Sequence, residues 1–287
     1  LLIINFIIIK MNLKGVMGQV MRGALFGLGF VFLGMAFFEE SLIFFPSGYN
    51  PDEYKYAVTD GPKPEDVFIE TPDGETLHAW FLANKEAEKT FLFFHGNAGN
   101  LAGRYDWAAL LTSLPANVLL LDYRGYGRST GKPNEKGIYI DARSAYDYLI
   151  TNKGVKAEDV VVYGKSLGGA AACELATQVE IGALILQSTF SSAKEMAKLM
   201  FGFLPVHYFV STKFANNEKI KSIKVPKLIM HSKDDEMIPV SMAEELYENA
   251  PEPKVKAFFE GPGHNDLIWR KPKELLRAIK SVLEFKE

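Results

Sequence analysis

The chain has a single cysteine among 287 residues, Cys173. That excludes an intramolecular disulfide framework and a cysteine-rich metal site, and it leaves Cys173 the role of a buried helix residue. Dense Lys or Arg runs are also missing. A formal net charge of −3 and a pI near 6.0 offer no basic field, so nucleic acid is not an expected partner. The five histidines (His78, His95, His207, His231, His264) are scattered. None falls in the H-E-x-x-H spacing that sets two ligands on one helical face, so no metal is expected. A P-loop is absent too: Asp159 stands where that motif needs its first glycine, and a carboxylate there repels phosphate. No cofactor is expected.

What the chain does have is apolar mass. With 48% hydrophobic and 13% aromatic residues it can bury one sizeable core carrying a short appendage. The appendage is amino-terminal. Residues 16–38, VMGQVMRGALFGLGFVFLGMAFF, carry Arg22 as their one charge. As a helix, such a stretch covers roughly 34 Å, enough to cross a hydrocarbon core of about 30 Å. No small-x-small cleavage site precedes Glu39, which favours a retained single-pass anchor over a signal peptide. Lys10, Lys14 and Arg22 lie before or early in the span and no cation follows closely until Lys55, so the amino terminus is expected in the cytoplasm and the rest of the chain on the outer side. Gly23 and Gly27 form a G-x-x-x-G, a candidate homodimer face within the bilayer. The opening LLIINFIII is apolar as well, and Met11 is a candidate start.

After a connector (41–64) the sequence alternates short apolar runs with amphipathic ones. DVFIET, LHAWFLA, TFLFFH, VLLLDY, DVVVYG, ALILQS, KLIMHS and KVKAFFE read as strands. Helical stretches are expected over 101–113, 134–151, 167–178, 240–249 and 272–285. This alternation predicts an α/β domain over 65–287, a mostly parallel sheet covered by helices on both faces. Chemistry in such sheets gathers at the carboxyl ends of the strands, and the polar motifs fall there: His95-Gly96-Asn97, Ser166, Asp234-Asp235 and Gly263-His264 each follow a strand.

The most informative motif is GKSLGG at 164–169, a G-x-S-x-G with Gly164 and Gly168 flanking Ser166. In a tight strand-to-helix turn those glycines face neighbouring backbone, and the turn lifts the serine hydroxyl above the sheet as a nucleophile. A serine needs a base, and His264 in the last strand's Gly-Pro-Gly-His loop is the natural one. The acid that fixes the base lies among Asp234, Asp235 and Glu236; spacing alone does not separate them. Two backbone N–H groups must meet a developing oxyanion. Leu167, just after the nucleophile at the positive end of a helix, supplies one, and Asn97 in HGNAGN the other. His95 reads as structural.

HGNAGN, LDYRGYGRSTGKP, GKSLGG, HSKDDEMIP and GPGHNDL, in this order, resemble the α/β-hydrolase fold over roughly residues 40–287. The match is to its membrane-anchored subgroup, which includes fungal polarity-related hydrolases, bacterial inner-membrane homologues and animal depalmitoylases. The resemblance implies an eight-stranded sheet and a Ser166–His264–Asp235 triad, since the family places its acid four residues before the proline of a D-x-x-x-P turn. It also implies cleavage of carboxylic esters or thioesters through an acyl-enzyme. One departure is His231-Ser232 where the family has His-Gly. A short lid is expected over about 189–225, where Met196, Met200, Phe201, Phe203 and Tyr208 suit an acyl chain. Expected partners are thus the bilayer and a small-molecule or acylated substrate. The alternatives are a non-catalytic membrane scaffold of the same fold and an acyltransferase or peptidase using the same triad.

Overall fold

The computed structural model describes residues 39–58, 61–202 and 204–284, together with residues 18, 19, 21–23, 27 and 34. Most of the expected anchor, 16–38, therefore lies outside the described residues, as does Phe203. Among the described residues no helix is long and apolar enough to cross a membrane.

All eight expected strands form: β1 (Glu65–Glu70), β2 (Thr76–Leu82), β3 (Lys89–Phe94), β4 (Ala116–Leu121), β5 (Val160–Lys165), β6 (Ala183–Gln187), β7 (Lys227–Ser232) and β8 (Lys254–Phe259). They make one sheet in the order β1-β2-β4-β3-β5-β6-β7-β8. β1 and β2 pair antiparallel, and β2 joins β4 antiparallel. From β4 through β8 every pairing is parallel. Strand side chains alternate between faces, and here both faces are buried. Leu92 and Phe94 of β3 join one core cluster; Phe91 and Phe93 join the other.

From residue 51 onward the helices are α1 (Pro51–Ala57), α2 (Tyr105–Leu111), α3 (Glu135–Thr151), α4 (Gly168–Gln178), α5 (Ala193–Phe201), α6 (Asn216–Lys219), α7 (Val240–Asn249), α8 (Leu267–Arg270) and α9 (Pro272–Leu283). The first expected helix is split. Asn100 caps a 3-10 turn over Leu101–Arg104 by accepting from the Ala102 N–H, and α2 follows it. The connector also holds α1, whose start is an Asn50 cap with Pro51 in the first turn.

The strand order positions the site. The chain leaves β3 for β4 on one side and then crosses to β5 on the other, so the loops after β3 and β5 part company and leave a crevice. Asn97 follows β3 and Ser166 follows β5.

Candidate active site

Ser166 sits at φ 53°, in the left-handed region that side chains with a Cβ rarely occupy. Its neighbours show why the turn tolerates this. A Cβ on Gly164 would lie 2.5 Å from the Gly168 carbonyl oxygen and 2.6 Å from Gly169 Cα, and one on Gly168 would land on the Phe94 carbonyl. The glycines let α4 begin directly against β5 and β3. The Ser166 N–H donates to the Gln187 carbonyl at 2.9 Å, and the Thr189 hydroxyl donates to the Ser166 carbonyl. The bend is thus held from β6 as well as from its own chain.

His264 reaches this hydroxyl from the β8 loop. Its Nε2 lies 3.1 Å from Ser166 Oγ, and its Nδ1 lies 2.8 Å from Asp235 Oδ2. An ionised carboxylate only accepts, so Nδ1 carries the proton and Nε2 is left to accept from the serine. The His264 and Asp235 side chains are buried.

Burial by itself raises the pKa of Asp235, but hydrogen bonds from His231, His264 and the Ile238 N–H outweigh it and hold the carboxyl far below its ordinary value. Its other oxygen accepts from the Met237 and Ile238 N–H groups at 2.9 and 2.8 Å.

The structure separates the three acids that spacing left together. Asp234 accepts from the Gly261 N–H at 2.5 Å, Asp235 takes the imidazole, and Glu236 accepts from the His264 N–H at 3.0 Å. Glu236 was a candidate for the acid, and its bond to the His264 backbone is what sequence reasoning missed; a Cβ on Gly263 would come within 2.7 Å of its carboxylate. Ser232, the departure from His-Gly, is buried and donates to the Pro262 carbonyl, so its hydroxyl ties down the histidine loop.

Lys165 was also missed. It is 3% exposed and donates to Asn265 Oδ1 at 2.9 Å, next to the base. Burial, aided by nearby Arg104, pushes its pKa down to about 8 against the pull of Asp235.

Asn97 and Leu167 border the same cavity as Ser166. Neither backbone N–H has an acceptor among the described residues. His95 is buried behind them, with Nδ1 2.6 Å from the Gly96 carbonyl and Nε2 3.2 Å from Asp122. Among the described residues no hydrogen bond joins its ring to a triad member.

The cavity holds about 410 Å³, within the range of small-molecule sites. Met196, Met200 and Phe201 line it from α5. Tyr208 does not. It is 73% exposed and packs on His207 at 4.2 Å, because the 3-10 turn Pro205–Tyr208 turns Val206 inward and Tyr208 out. Val206 and Phe209 line the cavity instead, with Phe190 and Phe214 from the ends of the lid.

Residues 89–215 match the alpha/beta hydrolase fold family. The chain is 34% identical over 247 residues to an uncharacterized protein of Mycobacterium tuberculosis, covering 85% of this chain and 87% of the relative. The chain belongs to the alpha/beta hydrolase fold family. It is also 34% identical over 221 residues to protein bem46 of Schizosaccharomyces pombe, covering 72% of this chain and 73% of that one. With the human alpha/beta hydrolase domain-containing protein 17B it shares 33% identity over 224 residues, 75% of this chain and 74% of the other. Among solved structures, the Pyrococcus furiosus esterase Pf2001 superposes with a TM-score of 0.65 at 22% identity, over 84% of this chain and 94% of that one. That likeness is one of fold.

Proposed function

We propose that this alpha/beta hydrolase is a membrane-tethered serine hydrolase that cleaves carboxylic ester or thioester bonds through an acyl-enzyme. The observation that carries the reading is the line from Asp235 through His264 to Ser166, with contacts of 2.8 and 3.1 Å, opening into an apolar cavity. Ser166 Oγ attacks the carbonyl carbon while His264 Nε2 takes its proton, and Asp235 stabilises the imidazolium. The oxyanion receives the Asn97 and Leu167 N–H groups, with the positive end of α4 behind it. The tetrahedral adduct collapses, His264 returns the proton to the departing alcohol or thiol, and water attacks the acyl-serine by the reverse route. The cavity walls suit an acyl chain, and two structures sharing the fold, from Pyrococcus furiosus and Exiguobacterium antarcticum, are described as esterases.

Residues 16–38 are proposed as the tether, with the amino terminus cytoplasmic and the hydrolase domain on the outer side, and Gly23 and Gly27 as a contact between two such tethers. The test of the enzymatic reading is covalent labelling by a fluorophosphonate probe. Wild type is expected to label, and Ser166→Ala to lose both labelling and activity by at least ~10⁴-fold. A folded wild type that stays unlabelled, or an alanine variant that labels equally, overturns the assignment.

A further inference from the structure

The amino-terminal strap, residues 39–47, does more than join the tether to the domain. Glu39, Leu42, Ile43 and Phe45 border the same cavity as Ser166. Two sets of bonds hold the strap there. At its start, the Glu39 carboxylate accepts from the Ser211 N–H at 3.1 Å, the Ser211 hydroxyl at 2.7 Å and the Thr212 N–H at 2.7 Å, all in the lid. Those bonds outweigh partial burial and lower the pKa of Glu39.

Further along, the strap is stitched to the oxyanion loop. The Phe45 N–H donates to Asn97 Oδ1 at 3.0 Å, the Asn97 amide donates to the Ile43 carbonyl, the Gly99 N–H to the Phe45 carbonyl at 3.2 Å, and the Ser47 N–H to the Gly99 carbonyl at 2.9 Å. Between these two sets Phe44 is buried edge-on against Phe214, at a centroid distance of 6.1 Å. A segment bonded to the lid at one end and to the oxyanion loop at the other is a wall of the site.

We infer that the strap is a specificity-determining part of the acyl-binding site, with Leu42 and Phe45 setting how many methylenes beyond the carbonyl find an apolar surface. The inference rests on the serine-hydrolase reading and deepens it. Each methylene lodged against such a wall raises kcat/KM by about fourfold. Leu42 and Phe45 are 49% and 54% exposed, so changing them spares the core.

The experiment uses the full chain in detergent, with p-nitrophenyl acetate and dodecanoate as substrates and fluorophosphonate labelling in parallel. In Leu42→Trp, a bulkier wall that displaces two methylenes lowers the dodecanoate-to-acetate ratio of kcat/KM about fifteenfold. In Phe45→Ala, a lost wall lowers it about fourfold or more. Fluorophosphonate labelling is expected to persist in both variants, which shows that Ser166 still reacts, so that the ratio reads the wall and not the triad. Leu199→Ala is the control, because Leu199 is 48% exposed on the lid helix α5 and is not among the residues that border the cavity. The strap has no such role if labelling persists while both strap variants keep the wild-type ratio, or if Leu199→Ala shifts the ratio as far as they do. Absence of labelling and of acetate turnover in wild type would instead remove the hydrolase reading on which the inference stands.

Discussion

At the scale of single residues, the site depends on how each acid around His264 is used. Asp235 accepts from two backbone N–H groups with one oxygen and from the imidazole with the other. Asp235→Asn keeps the size but can turn an amide donor toward Nδ1, which favours the wrong tautomer. The expected result is a fall in kcat of about 10⁴-fold, measured on an activated ester, with fluorophosphonate labelling slowed in step.

Glu236 acts one bond away, on the His264 backbone N–H. Glu236→Ala removes a charged acceptor from a largely buried donor, which costs about 1.5–3 kcal/mol of stability. Denaturant titration reads this directly, and a midpoint unchanged from wild type would show that the bond contributes nothing.

Lys165 supplies a pH signature. Its folded pKa of about 8 lies below the ordinary lysine value, so between those values the unfolded chain holds a proton that the native one has released. Stability therefore rises with pH across that window and carries the full burial penalty below it. The expected gain is about 2 kcal/mol from about pH 8 to about pH 10. Urea titrations at the two ends should show it in wild type and not in Lys165→Met.

The eight strands were legible because each is a short apolar run bounded by turn residues, and both sheet faces are buried. The elbow was legible because G-x-S-x-G has a steric reason at each glycine. Gly168→Ala would drive a methyl group into the Phe94 carbonyl, with backbone rather than a movable side chain on both sides. A cost above ~3 kcal/mol is expected, seen as a large fall in the thermal midpoint or as insoluble protein. An unchanged midpoint would mean that α4 can move away from β3 freely.

The lid was less legible. Apolar residues there are close in sequence whether they face the cavity or solvent, and the turn that sends Val206 inward and Tyr208 outward is decided by packing. Helix α1 had a readable start in Asn50-Pro51, yet it is only seven residues long and its surroundings read as connector.

For the whole molecule, the stretch proposed as a tether ends in sequence where the strap that borders the site begins, at Glu39. The exposed apolar side chains Leu42, Phe45, Met200, Phe209 and Met237 all border the active-site cavity, so its rim is formed partly by the strap that follows the proposed anchor. The proposed topology predicts that the full chain resists carbonate extraction and yields to detergent. A carboxyl-terminal alkaline phosphatase fusion is expected to be active and a fluorescent-protein fusion dark. Release by carbonate would remove the tether, and the reverse fusion pattern would invert the orientation.

Order along the chain was enough to determine that a mostly parallel sheet would form and that Ser166, an acid near 235 and His264 would share its carboxyl edge, because apolar periodicity and turn chemistry are local properties. Distance in space decided the rest. Spacing left Asp234, Asp235 and Glu236 open and the family resemblance pointed to Asp235; in space it is Asp235 that faces the imidazole, because neighbouring residues in a turn point in different directions and the packed β7 and β8 loops select one of them. Likewise the strap became a wall of the cavity only when Glu39 met Ser211, 172 positions later, a contact set by the closure of the fold and by nothing within either segment.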